Sequence, residues 1–272
     1  MERCVLNQIK THLNRNQLYD KFQSAYKEYH STETLLVRLH DEVLSCLDRE
    51  EIVFLVLLDL SAALDTLGHR ILLHRLEEYA CITGSALSWL ASYISDRSQS
   101  VQVGSVFSKA RCLKYGVPQG SVLGPLLFTI YMLPLAKIFN KYGVKYQCFA
   151  DDTQIYISCK KSNADGIKAR LERCAAELST WMTDNHLKLN ASKSECMLIH
   201  PRGTSLQALP NISIEENDLL PRPSLRNLGI CMDTILSVNS QICMLCKSLA
   251  HQIRLISGLK RFLDDPMHLL DS

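Results

Sequence analysis

The chain has 272 residues, with 30 Lys and Arg against 28 Asp and Glu and a formal net charge of +2. A hydrophobic fraction of 47% and a charged fraction of 21% exclude a wholly disordered polymer. The near balance of charge excludes a uniformly basic, histone-like binder, but it is compatible with a local basic groove beside an acidic site.

The length suits one large domain or two small ones. The opening MERCVLNQIK lacks the apolar run and cleavage pattern of a secretory leader. An intracellular, nuclear or cytoplasmic setting is therefore expected, and the eleven cysteines are read mostly as small buried hydrophobes. Ser31-Thr32-Glu33-Thr34 opens a helix to about Asp48, with Ser31 as N-cap and Leu35, Leu36, Leu39, Val43 and Leu47 as its apolar stripe. Ile52 to Leu58 is an unbroken apolar run, too short for a typical helix, and predicts a fully buried central strand ending in Asp59. His69 to Ala80 and Ser85 to Ile94 read as helices. Gln99 to Gly104 and Arg111 to Tyr115 alternate as a hairpin does.

Gly116 to Pro125 is a loop leading into one long apolar helix, and the prolines and Lys137 in Val122 to Phe139 argue against a membrane span. Tyr146 to Ala150 and Thr153 to Ser158 predict two strands, with Asp151 and Asp152 at their turn. Gly166 to Asn185 follows helical spacing, and Glu195 to Ile199 is a short strand. Pro201 to Pro223 predicts a loop or short hairpin, Leu225 to Asp233 a strand, and Ile242 to Leu263 a helical pair or one broken helix. Cys243 and Cys246 form a lone C-x-x-C within that helical pattern, which is weak support for zinc. The order of elements is α+β rather than alternating βαβ.

Three carboxylates draw attention. Asp151 and Asp152 repel each other at a tight turn, and Asp59 ends a buried strand where an unpaired charge is costly. A hard cation relieves both, since Mg²⁺ takes one or two carboxylates together with phosphate oxygens and water. If the two strands are neighbours, Asp59 and Asp151 converge, as in sites that clamp phosphoryl transfer between metals ~3.5–4 Å apart. An Asp pair is also common in surface turns, so spacing alone leaves both readings open. Pro118-Gln119-Gly120 reads as a stiff turn that lets a ligand approach the backbone. Lys188, Asn190 and Lys193 are within reach of a phosphate or are simply solvated.

Taken together, these stretches resemble the reverse transcriptase domain of non-LTR (LINE-type) retrotransposons. The blocks are Gln23-Ser24-Ala25-Tyr26 with Ser31 to Thr34, Leu58 to Asp65, Gly116 to Phe128, Phe149 to Asp152, Trp181 to Glu195, and Asn227 to Leu236. They occur in the family's order, and the resemblance covers about Leu13 to Leu263. The resemblance implies a right-hand polymerase palm with partial fingers and the start of a thumb. Residues 1–50 would be partial fingers, and 51–200 the palm with an insertion at 85–115. Residues 201–224 would be a loop or hairpin, and 225–272 the connection to a partial thumb.

By the same resemblance Asp59, Asp151 and Asp152 would hold Mg²⁺ or Mn²⁺. Leu64, Pro118, Gln119 and Gly120 would line the nucleotide and template. Lys193 would give a proton to the pyrophosphate leaving group. An RNA template, a DNA primer and a dNTP are the implied partners. Leu64 departs from the family's aromatic residue, Gly68 replaces an acidic one, and early fingers residues are not recognised. The alternative reading is an inactive or truncated remnant that binds nucleic acid or protein. A generic metal phosphohydrolase leaves the Gly116 to Phe128 block unexplained.

Overall fold

The computed structural model describes residues 1–61, 64–204, 211–215 and 217–259. Ile52–Leu58 forms strand β1, and both of its faces are covered. Ile52, Phe54, Val56 and Leu58 join the main core, while Val53 and Leu55 join a second core on the other face. That double burial explains why the run is apolar throughout instead of alternating. Strands β2 (Lys145–Phe149), β3 (Asp152–Cys159) and β4 (Glu195–Ile199) complete a sheet in the order β4-β1-β3-β2. Every neighbouring pair is antiparallel, so the buried run sits in an antiparallel sheet with β1 near its centre.

Helix α1 (Glu2–Arg15) is an element that the sequence reading did not anticipate, and it buries Ile9 and Leu13 one turn apart. Helix α2 (Thr32–Leu47) starts as predicted: the Thr34 N–H donates to Ser31 Oγ, and Thr34 Oγ1 accepts from the Ser31 N–H. Its buried face (Leu39, Val43 and Cys46) packs on the Val53 and Leu55 side of β1. Helices α3 (His69–Glu78) and α4 (Gly84–Ile94) also fall where expected.

The single long helix expected after Gly116 is instead two, α5 (Gly124–Met132) and α6 (Leu135–Lys141). Pro134 lacks the N–H that would continue the ladder, so the chain restarts there. Helix α7 (Ala164–Asp184) carries Ile167, Leu171, Cys174, Leu178 and Met182 onto the main core. Helix α8 (Asn239–Leu259) is one continuous element rather than a pair, and the predicted extension to Leu263 lies outside the described residues.

The remaining strands form small hairpins. Residues 98–112 form the expected hairpin as one long arm: Ser98–Gln99 pairs with Arg111–Cys112, and Gln102–Val103 pairs with Val106–Phe107 toward its tip. Ile212–Ile214 pairs with Asn217–Leu219 inside the segment predicted as loop or hairpin, of which 205–210 and 216 are not described. The single strand expected at Leu225 to Asp233 is itself a hairpin, Ser224–Asn227 against Ile230–Asp233. Leu228 and Gly229 both have positive φ, as a two-residue type I′ turn requires. Among the described residues, no helix is long and apolar enough to cross a membrane.

Candidate active site

The hairpin between β2 and β3 is as tight as its sequence suggests. Phe149 pairs with Asp152, leaving Ala150 and Asp151 as the two loop residues. Asp151 therefore sits in the turn, whereas Asp152 is the first residue of β3. Ala150 has φ 58, a left-handed conformation unfavourable for a residue with a side chain.

Gln23 holds it there. The Ala150 N–H donates to Gln23 Oε1 at 3.1 Å, and Gln23 Nε2 donates to the Ala150 carbonyl at 3.3 Å. The same Oε1 accepts from the Ala25 N–H at 2.9 Å. Backbone bonds from Cys148 N–H to Phe22 and from Ser24 N–H to the Cys148 carbonyl dock this segment beside β2. Gln23 is buried, and it is a positioning residue that pattern reading singled out only as part of a block. Gln23→Ala is expected to orphan the Ala25 and Ala150 N–H groups and to destabilise the protein by about 1–3 kcal/mol. The checks are a denaturant midpoint and faster amide exchange at Ala150. Unchanged exchange at Ala150 would remove the clamp from the account.

The sheet brings the other predicted carboxylate to this turn. Leu57 pairs with Gln154 and Leu58 with Thr153, so one further step sets Asp59 opposite Asp152. The Asp59 backbone is fixed from its other side. Its carbonyl accepts from the Asn190 N–H at 2.8 Å, and its N–H donates to Ser194 Oγ at 3.4 Å. Leu60–Ser61 then pairs with Lys188–Leu189. Lys193 lies on the Asn190 to Ser194 turn, exposed, with its own N–H on the Asn190 carbonyl. Asp152 has its pKa raised, first by the surrounding protein that displaces water, then by the charges of Asp151 and Asp59. Asp152 thus feels the charge of both other carboxylates.

A cavity of about 210 Å³ opens beside them, lined in part by Tyr26, Leu64, Asp65, Gln119, Phe128 and Asp151. The Tyr26 phenol has its pKa raised by burial and then by the Asp151 charge. Gln119 Nε2 donates to both Asp65 oxygens at 2.9 Å. Gly116 makes the approach between these two loops possible: a Cβ there would lie 2.7 Å from the Asp65 carbonyl oxygen. Ser121 N–H donates to the Pro118 carbonyl, closing a turn in which Gly120 has φ 75 and open space where a side chain would point. Pro118 faces a second, larger cleft of about 670 Å³, which shares Asp65 and Gln119 with the first.

The model of the family described as reverse transcriptase (RNA-dependent DNA polymerase) matches residues 1–232. The chain belongs to the reverse transcriptase family. The match starts at residue 1, further toward the N-terminus than the motifs alone trace it. The probable RNA-directed DNA polymerase from transposon BS of Drosophila melanogaster is 29% identical over 85% of this chain and 26% of its own length. The polymerase from the mobile element jockey of the same fly is 24% identical, over 95% and 28%. That of its X-element is 27% identical, over 89% and 26%. The chain spans about a quarter of the length of these curated relatives.

Solved structures agree on the fold. Telomerase from Candida albicans, in complex with a fragment of telomeric RNA, has a TM-score of 0.62 at 16% identity, over 86% of this chain and 37% of that one. Apo telomerase from Candida tropicalis, truncated from its C-terminal domain, has 0.61 at 14%, over 88% and 44%. The α+β palm of a reverse transcriptase is thus the fold of this chain.

Its donor set suits a hard divalent cation. Among the described residues, no three or more His, Cys, Asp or Glu side chains form a ready-made metal cage. Mg²⁺ does not need one, because it keeps waters and takes phosphate oxygens beside one or two carboxylates. Carboxylates close enough to raise the pKa of Asp152, one of them lining a cavity, fit a hard cation. The expectation of mostly buried cysteines holds only for Cys46, Cys148, Cys159, Cys174 and Cys196, since five others are exposed and Cys231 is half-buried. Burial pushes the Cys148 thiol up to about 12, so the one nearest the site is inert. At Gly68 a Cβ would lie 2.9 Å from the His186 ring. His186 occupies the room that a side chain there would need.

Proposed function

We infer that this chain is the polymerase module of a non-LTR retrotransposon reverse transcriptase. It would add deoxynucleotides to a primer 3′-hydroxyl under the direction of an RNA template. The reading rests on the charges of Asp151 and Asp59 acting on Asp152, with Asp151 lining the 210 Å³ cavity. Asp59 and Asp151 would hold the divalent cations, with Asp152 supporting them. Bound Mg²⁺ or Mn²⁺ would neutralise charge on the attacking and leaving oxygens. The protein's share is positioning. Gln119, braced by Asp65, and Gly120 would border the nucleotide and template, with Pro118 stiffening their turn. Leu64 would pack beneath the sugar. Lys193, next to the Asp59 tether, would protonate the pyrophosphate. Residues 1–50 would act as partial fingers, 51–200 as palm with the 85–115 insertion, and 225–272 as the passage to the thumb.

One observation favours a second reading. Leu64 lines the cavity where the family carries an aromatic ring, which fits a non-catalytic remnant that still binds nucleic acid. Primer extension on an RNA template with Mg²⁺ or Mn²⁺ separates the two. The first reading expects extension well above that of the Asp151→Asn/Asp152→Asn variant, and improved rejection of ribonucleotides in Leu64→Tyr. Extension no better than the double variant on several template–primer pairs would leave the remnant standing.

A further inference from the structure

The arm at residues 97–114 is unlike the rest of the surface. It carries Arg97, Lys109, Arg111 and Lys114 and no carboxylate, in a chain whose charges otherwise nearly cancel. None of the four forms an ion pair among the described residues. Every residue from 98 to 112 is exposed. The arm is nonetheless a built element. Its two ladders are joined by hydrogen bonds between Val101 and Ser108, and the Leu113 N–H donates to the Arg97 carbonyl at 2.7 Å. Near its tip Val101, Val103, Val106 and Phe107 are 62–75% exposed.

Its root opens onto the candidate active site. Arg97, Ser98 and Gln99 line the 670 Å³ cleft together with Tyr115, Pro118 and Gln119. That cleft shares Asp65 and Gln119 with the cavity beside the carboxylates.

We propose that the 97–114 arm grips a single strand of nucleic acid and leads it into this cleft. Resting on the polymerase reading, the inference names the surface that handles the unpaired template. The cations along the stem match a phosphate backbone, which attracts Lys and Arg and releases counterions as it binds. Apolar side chains at the tip match unstacked bases, since every base offers a face to an aromatic ring. A duplex hides those faces, so the tip favours an unpaired strand. The exposed apolar residues are interleaved with Ser and Gln, as suits contact with a polar, charged strand.

The test is fluorescence anisotropy of a labelled, unstructured oligouridylate with the full chain across a series of KCl concentrations. No nucleotide or divalent metal is required, so the result is independent of whether the chain polymerises. In the variant Lys109→Ala/Arg111→Ala/Lys114→Ala, the slope of log affinity against log salt is expected to fall by about 2, three contacts at roughly 0.7 each. Phe107→Ser is expected to weaken binding about tenfold at every salt concentration, with the slope unchanged. All three cations are exposed, and circular dichroism checks that both variants keep the fold. Absence of binding by the unsubstituted chain, an unchanged slope in the triple variant, or tighter binding to duplex RNA each overturns the proposal. So does self-association that Phe107→Ser abolishes while RNA binding persists, because the tip would then be a protein contact.

Discussion

Asp151→Asn is expected to reduce nucleotide addition by about 10³-fold or more while leaving the metal-free protein slightly more stable. The loss follows the scale on which removing one charge-stabilising group slows phosphoryl transfer. The gain comes from the same charge. Asp152 is harder to ionise because of the protein around it, then because of Asp151 and Asp59. Its folded-state pKa lies above the unfolded value, so the associated stability is fully present below the unfolded pKa and is lost as pH rises through the folded one. Asn at 151 removes the second of those causes and reduces that loss. The side chains are exposed, so the gain is roughly 0.5 kcal/mol, the scale of surface charge pairs. Single-turnover primer extension measures the first effect, and melting curves at several pH values without metal measure the second. A variant that loses activity together with several degrees of melting temperature would show Asp151 to be a folding residue instead. Asp59→Asn should behave similarly in activity, with a smaller gain, because its charge is the least of the causes acting on Asp152.

This opposition between stability and activity also explains what could be read from the residues alone. An apolar run of seven ending in Asp59 is unambiguous, because both faces of β1 are buried and no polar residue is tolerated before the sheet ends. Phe149 to Asp152 is legible for the converse reason, since adjacent acids at a tight turn make poor structural sense. What pattern could not supply is the partner of each element. A glutamine in a loop carries no sign that its amide clamps a backbone 127 residues away, as Gln23 does at Ala150. Asn227 is read as part of a motif, yet its work is to donate to Gln154 Oε1 in the interior, tying the 224–233 hairpin to β3. The break at Pro134 was visible, but the apolar run around it conceals that the chain restarts a separate helix. Local spacing determines elements, whereas these tethers depend on the packed topology, which the recognised motifs imply only through the fold of their family.

Gly116→Ala is expected to have the second-largest effect, and a neighbouring glycine supplies its control. Gly116 has φ 84, and a Cβ would meet the Asp65 carbonyl oxygen at 2.7 Å and its carbon at 3.0 Å. Those atoms are backbone and have little freedom to yield. The loop is further held by Gly116 N–H to the Leu67 carbonyl, Val117 N–H to the Leu64 carbonyl, and His69 Nε2 to the Gly116 carbonyl. Alanine therefore adds left-handed strain of ~1–2 kcal/mol to a contact that must open. A total loss of about 2–4 kcal/mol is expected in denaturant unfolding. Opening that contact shifts Leu64, Asp65 and Gln119, which together wall the cavity, and a displacement of about 1 Å is worth ~10²-fold in rate. Gly120→Ala has similar strain at φ 75 but open space around the new methyl group. It should therefore lose only the ~1–2 kcal/mol of backbone strain. If the two variants lose equal stability, the close approach of the Gly116 loop to Asp65 is not what shapes the pocket. If Gly116→Ala loses markedly more, the packing of one motif's backbone on the other's sets the wall against which a nucleotide would rest.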